Sequence, residues 1–163
     1  MLQDYSKFVE LKRVPVIDVP ITGTNMSECV EFLTRHIDEL HGEYICVSNA
    51  HTSVMAHDDP SYWACQADSL MSVPDGKPLS VVGRKTIESM GRVTGPDLMR
   101  EIFNISLQQG WSHYFYGNEQ KNLDALKKFT SRGISRPGNR WHGAFGFPTA
   151  LRQREARPFA TYR

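Results

Sequence analysis

The sequence has few cysteines and no long apolar run. Its 163 residues include only Cys29, Cys46 and Cys65, whose spacing fits neither a disulfide framework nor a Cys-x-x-Cys metal site. We expect all three to be buried as small hydrophobic side chains. Because no run of about 18 apolar residues occurs, no membrane-spanning helix is predicted. Residues 1–10 lack the apolar core of a signal peptide, so a cytoplasmic location is expected.

Three common signatures of phosphate-binding enzymes are also absent. The sequence contains neither Gly-x-Gly-x-x-Gly nor Gly-x-x-x-x-Gly-Lys-[Ser/Thr], which argues against a dinucleotide-binding or P-loop enzyme. It contains no Asp-x-Asp pair, a common way of holding a metal–diphosphate complex. We therefore predict chemistry that uses neither a metal nor a cofactor.

Short apolar runs alternate with stretches of helical periodicity. Strands are predicted at 44–47, 70–73 and 113–116, and helices at 26–41, 50–57, 59–67, 78–83, 96–109 and 119–129. This alternation predicts a single-domain α/β fold, with a Rossmann-like, mostly parallel sheet and helices on both faces. Thr24 is the candidate N-cap of the first helix. Residues 14–21 are interpreted as an edge strand or extended arm, since two prolines disfavour a central strand.

Composition changes abruptly near residue 130. From Ser131 onward there are seven arginines, no lysine and one acid, Glu155, a net charge of +6. Since the whole chain carries +1, the preceding residues carry −5. Residues 130–163 have two interpretations: an irregular basic tail that contacts anionic lipid or nucleic acid, or a shifted reading frame. The exclusive use of arginine favours the shifted frame, and residues 1–129 are taken as the folded domain.

Polar residues follow the predicted strands at 48–52, 75–78 and 117–119. Ligands of open α/β sheets bind beyond the carboxyl ends of strands, so these segments form the candidate site. Asp75 is the strongest candidate, because a carboxylate held there can act as a general base. The alternative is that Pro74-Asp75-Gly76 is simply a turn.

Further candidates lie in the same segments. Asn49 could hydrogen-bond a sugar hydroxyl or a nucleotide, or could simply cap the following helix. His51 could bind phosphate or transfer protons, or could be structural. Gly76 leaves the backbone beside Asp75 open to a ligand. Gly117 and Asn118 resemble a nucleotide-binding turn.

The segment before the helix at 96–109 supplies a candidate phosphate site. Arg92 could pair with a diphosphate through its two-pronged guanidinium, although a surface arginine is the alternative. Thr94 and Gly95 precede the helix, whose first N–H groups could hold a phosphate. Pro96 has no N–H, so this cradle has at most three donors.

Four motifs carry a resemblance to a known family. They are Cys46-Val-Ser-Asn-Ala-His51, Val73-Pro-Asp-Gly-Lys-Pro78, Gly91-Arg-Val-Thr-Gly-Pro-Asp-Leu-Met99 and His113-Tyr-Phe-Tyr-Gly117. Their order and spacing across about 14–129 resemble the WecG/TagA/CpsF family, glycosyltransferase family 26. The resemblance implies transfer of an N-acetylmannosamine-type or related sugar from a UDP donor to a lipid-diphosphate-linked acceptor. Products of such enzymes enter exopolysaccharide and other polymers of the cell envelope.

The resemblance also implies roles and partners. Asp75 corresponds to the family's base, Asn49 to its strand-end amide, Arg92 to its arginine and Gly117 to its nucleotide-side turn. The expected reaction is inverting and metal-independent. Expected partners are a UDP-sugar donor and a polyprenyl-diphosphate-linked sugar acceptor, with peripheral contact at the inner face of the plasma membrane. An oligomer is compatible with the family, and no nucleic-acid partner is expected.

Two departures from the family pattern stand out. Family members often have a threonine two residues before the strand-end asparagine, where this chain has Val47. They also continue past the last matched helix into a glutamine-containing strand and a basic membrane-associating appendage, which the residues after Lys128 do not resemble. The chain is therefore expected to be C-terminally truncated or frame-shifted. A catalytically inactive sugar-nucleotide-binding module or fragment is the alternative function.

Overall fold

A computed structural model describes Phe8, residues 11–113, and residues 121, 122, 124, 125 and 128. The chain forms two compact units, Met1–Ile102 and Phe103–Arg163. The strands and most of the helices described below belong to the first unit. In the described part of the second unit, the His113 ring packs edge-on against Phe103, with the ring centroids 4.9 Å apart. The proposed boundary at residues 129 and 130 lies outside the described residues and stays a prediction.

An antiparallel hairpin begins the described structure. Its strands are β1, Arg13–Val16, and β2, Val19–Thr22. The turn residues Ile17 and Asp18 both have positive φ, 51° and 62°, which gives a two-residue turn whose twist matches the strands. Residues 14–21 were predicted to form one edge strand or extended arm. They instead contribute to two strands that pair with each other. Neither turn residue is a glycine, so the usual hairpin signal was missing.

A parallel pair of strands forms the second sheet. These strands are β3, Ile45–Ser48, and β4, Met71–Pro74. Two helices connect them, α2 at Ala50–Asp58 and α3 at Pro60–Ala67. A parallel pair joined through helices confirms the predicted α/β class. The third predicted strand, 113–116, is described only at its first residue and stays a prediction.

Helices cover most of the remaining described chain. They are α1 at Met26–His36, α4 at Lys77–Gly83 and α5 at Gly95–Gln109, with a short 3₁₀ turn at Ile37–Glu39 after α1. Asn25, rather than the predicted Thr24, is the N-cap of α1. Its side chain accepts from the Glu28 N–H, and the Glu28 carboxylate accepts from the Asn25 N–H. No helix within the described residues is long and apolar enough to cross a membrane.

Two apolar clusters hold the first unit together. One packs α1 against β4 and the start of α5, and the other packs the hairpin against α2 and α4. Their buried members are Phe8, Cys29, Phe32, Leu33, Leu70, Met71, Val73, Val93 and Leu98 in the first, and Val16, Val19, Ile21, Ala56, Leu79 and Met90 in the second. All four residues of β4 are buried, which fits a strand covered on both faces.

The three cysteines differ in burial. Cys29 is buried, and this burial raises the pKa of its thiol to about 12. Cys46 is half-buried and Cys65 is exposed. The prediction that all three are buried is therefore confirmed for Cys29 and wrong for Cys65, whose position near the end of α3 faces solvent.

Candidate functional site

The carboxyl ends of β3 and β4 meet at one edge of the parallel pair. Ser48 and Pro74 are partners in the register, and the next residue, Asp75, donates its N–H to the Ser48 carbonyl at 2.7 Å. This bond extends the ladder one step past the strand and fixes the backbone of Asp75. The sequence prediction that segments 48–52 and 75–78 share an edge is borne out by this contact.

Arg92 lies beside Asp75. Its Nη2 is 3.8 Å from Asp75 Oδ1, and the two side chains are 60% and 26% exposed. The segment carrying Arg92 is held in place because the Val93 N–H donates to the Pro74 carbonyl at 2.9 Å. At 3.8 Å the ion pair is longer than a hydrogen bond, so this contact does not engage the N–H donors of the exposed guanidinium. A carboxylate and a cation thus share one open edge.

Asn49 caps α2 and faces Gly76. Its Oδ1 accepts from the Thr52 N–H at 3.0 Å, and the Thr52 hydroxyl accepts from the Asn49 N–H at 2.8 Å. A Cβ built on Gly76 would lie 4.0 Å from the Asn49 Cβ. Among the described residues, none accepts a hydrogen bond from Asn49 Nδ2. Capping therefore uses the oxygen of this amide and not its NH₂ group, so both roles considered for Asn49 are compatible.

The predicted phosphate cradle at the start of α5 is largely occupied by the protein itself. Thr94 Oγ1 accepts from the Asp97 N–H at 3.2 Å and donates to Asp97 Oδ2 at 2.6 Å. The Leu98 N–H donates to the Thr94 carbonyl at 2.9 Å. Two of the three predicted donors, the N–H groups of Asp97 and Leu98, are therefore hydrogen-bonded within the protein. Gly95 lies against Val47, because a Cβ built on it would be 3.6 Å from both methyl carbons of Val47.

Some predicted residues are not joined to this edge. His51 is exposed in the first turn of α2, and no hydrogen bond links it to Asp75 or Arg92 within the part of the chain that the structure describes. Gly117 and Asn118 lie outside the described residues. Across the residues that are described, no three His, Cys, Asp or Glu side chains cluster in a way that could hold a metal ion.

A buried polar cluster beneath the site was not predicted. Ser48 Oγ, Ser72 Oγ and Gln66 Oε1 lie within 2.5–2.9 Å of one another. The sequence signal was present, since Ser72 lies inside the apolar run of β4 and Ser48 ends β3. Alternation alone could not show that a glutamine on α3 satisfies them both.

The fold and the strand-end arrangement define an α/β protein with a candidate ligand site at the edge of a parallel sheet. The model of the glycosyl transferase WecG/TagA/CpsF family matches residues 14–148, and the chain belongs to that family. The match extends beyond residue 129, where the motif resemblance ends. No curated protein matches the chain significantly. Family membership makes the chain a glycosyltransferase of surface polysaccharide synthesis, a class that uses a sugar-nucleotide donor and a lipid-linked acceptor.

Proposed function

We propose that the chain moves an N-acetylmannosamine-type sugar from a UDP donor to a polyprenyl-diphosphate-linked acceptor, with inversion and without a metal. The observation that carries the proposal is the pairing of Asp75 with Arg92 at the end of β4, 3.8 Å apart. A base and a cation are the two groups that this transfer needs from the protein. The acceptor places the reaction at the inner face of the plasma membrane.

The proposed step is a single displacement. An acceptor hydroxyl gives its proton to the Asp75 carboxylate while its oxygen forms a bond to the anomeric carbon. The bond between that carbon and the diphosphate oxygen breaks, and UDP leaves with the electron pair from the opposite face. The configuration at the anomeric carbon is therefore inverted.

Arg92 is proposed to stabilise the leaving diphosphate. A base and a leaving group stand on opposite faces of the anomeric carbon, so Arg92 cannot stay against Asp75 during transfer. Its long, exposed side chain and the loose 3.8 Å contact allow it to turn towards the diphosphate. A guanidinium suits this role because it can donate two parallel hydrogen bonds to phosphate oxygens.

Two further groups are proposed to orient the donor. The NH₂ group of Asn49 would donate to a sugar hydroxyl or to the nucleotide, since its oxygen is already used in capping. Gly95 lies against Val47 at the start of α5, and Thr94 and Gly95 are proposed to form a wall of the site there. His51, Gly76, Gly117 and Asn118 are proposed as donor-side residues from their sequence positions after the predicted strands.

The test is an assay of UDP release from UDP-N-acetylmannosamine with a short lipid-diphosphate acceptor, using the full chain. Asp75→Asn should lower kcat by about 10²- to 10⁴-fold, the usual contribution of a general base. Asp58→Asn is the matched control, because Asp58 is an exposed carboxylate at the end of α2.

The outcomes separate the proposal from its rivals. Near-normal turnover by Asp75→Asn would remove Asp75 from the role of base. A rise in melting temperature with UDP but no detectable transfer would instead identify a sugar-nucleotide-binding module, since a ligand that binds only the folded state stabilises it.

A further inference from the structure

We infer that Gln66 is a positioning residue for the candidate base, because its buried amide ties together the strand ends that carry Asn49 and Asp75. The inference rests on the proposed function for its catalytic consequence. It goes beyond that function by assigning a role to a buried side chain on α3.

Gln66 contacts three separate elements through one side chain. It is 1% exposed. Its Oε1 accepts from Ser48 Oγ on β3 at 2.5 Å and from Ser72 Oγ on β4 at 2.9 Å. Its Nε2 donates to the Thr52 carbonyl on α2 at 3.4 Å. The amide is thus bonded to both strands of the parallel pair and to the first turn of the helix that Asn49 caps.

The number of available protons makes Gln66 essential to this cluster. Three oxygens, Ser48 Oγ, Ser72 Oγ and Gln66 Oε1, form three short contacts but share only two hydroxyl protons. At least one hydroxyl must therefore donate to Oε1 at any moment. An apolar side chain at position 66 removes that acceptor and leaves a buried hydroxyl without its partner.

The cluster reaches Asp75 through the backbone. Ser48 supplies the carbonyl that accepts the Asp75 N–H at 2.7 Å, and Ser48 directly precedes Asn49. Ser72 is held from its other side, since its N–H donates to Thr22 Oγ1 at 2.9 Å. A shift of Ser48 relative to Ser72 would therefore move both candidate site residues. Errors of about 1 Å in placement can cost about 100-fold in rate.

Filling space does not explain a polar residue at this position. A buried amide costs free energy unless its hydrogen bonds are made, whereas methionine fills a similar volume without that cost. Fully satisfied polar clusters impose one geometry on the groups they join. Here the groups joined are the two strand ends that flank the candidate base.

The experiment compares Gln66→Met and Ser72→Ala with Ser53→Ala in the full chain. Ser53 is a matched control, because it is buried on α2 and its hydroxyl has no hydrogen-bond partner among the described residues. Two readouts are measured: kcat and donor KM for UDP-N-acetylmannosamine, and the hydrogen-exchange rate of the Asp75 N–H.

We expect Gln66→Met to lower kcat by about 10- to 100-fold, with a smaller rise in donor KM, because Asn49 is displaced together with Asp75. The Asp75 N–H should exchange faster in the same variant. Ser72→Ala should change both readouts in the same direction by a smaller factor. It replaces Gln66→Met as the test variant if Gln66→Met does not fold. Ser53→Ala should leave both readouts as in the unmodified chain.

Each result decides a different question. If Gln66→Met and Ser72→Ala leave kcat and Asp75 exchange unchanged, or lower kcat only in proportion to unfolded protein, the inference is overturned. If the unmodified chain transfers no sugar while both variants still accelerate Asp75 exchange, the proposed function fails and the positioning of Asp75 by Gln66 stands. Unchanged exchange in an inactive chain overturns both.

Discussion

The N-termini of α1 and α2 are built alike and differ in one hydrogen bond. Asn25 and Asn49 have nearly the same backbone, with φ of −122° and −126°, and each forms a capping box with the residue three positions later. Each also faces a glycine, Gly91 beside Asn25 and Gly76 beside Asn49.

The difference lies in the spare NH₂ group of each asparagine. Asn25 Nδ2 donates to the Ser89 carbonyl at 3.1 Å, so every part of this cap serves the fold. Asn49 Nδ2 has no acceptor among the described residues, and it lies beside the Asp75–Gly76 edge. The same local motif is therefore complete at α1 and keeps a free donor at α2. An asparagine can therefore cap a helix with its side-chain oxygen and still have an NH₂ group that is not used by the cap.

The largest expected difference between the two caps is in activity. Asn49→Ala should lower kcat/KM for the UDP-sugar by about 3- to 100-fold, the range that spans a hydrogen bond to an uncharged sugar hydroxyl and one to a charged group of the nucleotide. Kinetics of Asn49→Ala and Asn25→Ala under the same conditions test this. Equal losses of kcat/KM in the two variants would show that Asn49 acts only as a helix cap.

Substitution of either facing glycine should lower the free energy of unfolding, but for a different physical reason in each case. A Cβ on Gly91 would lie 2.9 Å from the Asn25 Cβ, so Gly91→Ala should cost about 1–3 kcal/mol through overpacking. Gly76 has φ of 137°, so Gly76→Ala should cost about 1–3 kcal/mol through backbone strain.

Urea unfolding of double variants distinguishes these causes. Asn25→Gly removes the clashing Cβ and should relieve much of the cost of Gly91→Ala. Asn49→Gly should give Gly76→Ala no comparable relief. Additive costs in the Asn25 pair would show that Gly91 is not restricted by this contact.

Loss of the α1 cap should affect stability alone. Asn25→Ala should lower the free energy of unfolding by about 1 kcal/mol, because it leaves the Glu28 N–H without its acceptor. Turnover per folded molecule should stay unchanged. Ser27→Ala, an exposed change in the same helical turn, is the control and should alter stability by less than about 0.5 kcal/mol.

The smallest expected effect concerns Asp59, the N-cap of α3. Hydrogen bonds from the Ser61 hydroxyl, the Ser61 N–H and the Tyr62 N–H hold the pKa of Asp59 below its ordinary value of 3.8. Its stabilisation is therefore present above pH 3.8 and is lost as the pH falls through the lowered pKa.

Asp59→Asn keeps a capping oxygen but does not titrate. Unfolding measured at pH 5 and at pH values below 3.8 should show a smaller acid-induced loss of stability in the variant than in the unmodified chain. Parallel curves for the two proteins would show that this cap does not contribute to the pH dependence.

Local signals predicted much of the fold. The short apolar runs predicted β3 and β4 to within one residue, and Pro60 marked the break between α2 and α3. The hairpin was missed because its turn, Ile17-Asp18, has no glycine. Its pairing depends on apolar residues of β1 and β2 that are buried against distant helices.

The adjacency of two candidate strand ends was predicted, but their contacts were not. Strand ends identified Asp75 and Asn49, since ligands of α/β sheets bind there. Thr94 was expected to shape a phosphate cradle, and instead its hydroxyl and carbonyl occupy two of the donors. Gln66 had no local signal, because its partners lie 18 and 6 residues away on different strands.

The sequence by itself determined the α/β class, the placing of a carboxylate directly after a buried strand and the family motifs around it. These depend on periodicity, turn chemistry and residue order, which act over a few neighbouring residues. Only the tertiary structure decided that Arg92 meets Asp75, that Asn25 Nδ2 has an acceptor among the described residues where Asn49 Nδ2 has none, and that Gln66 joins β3 to β4. Such contacts depend on which distant backbone segments pack together, and no local pattern encodes that.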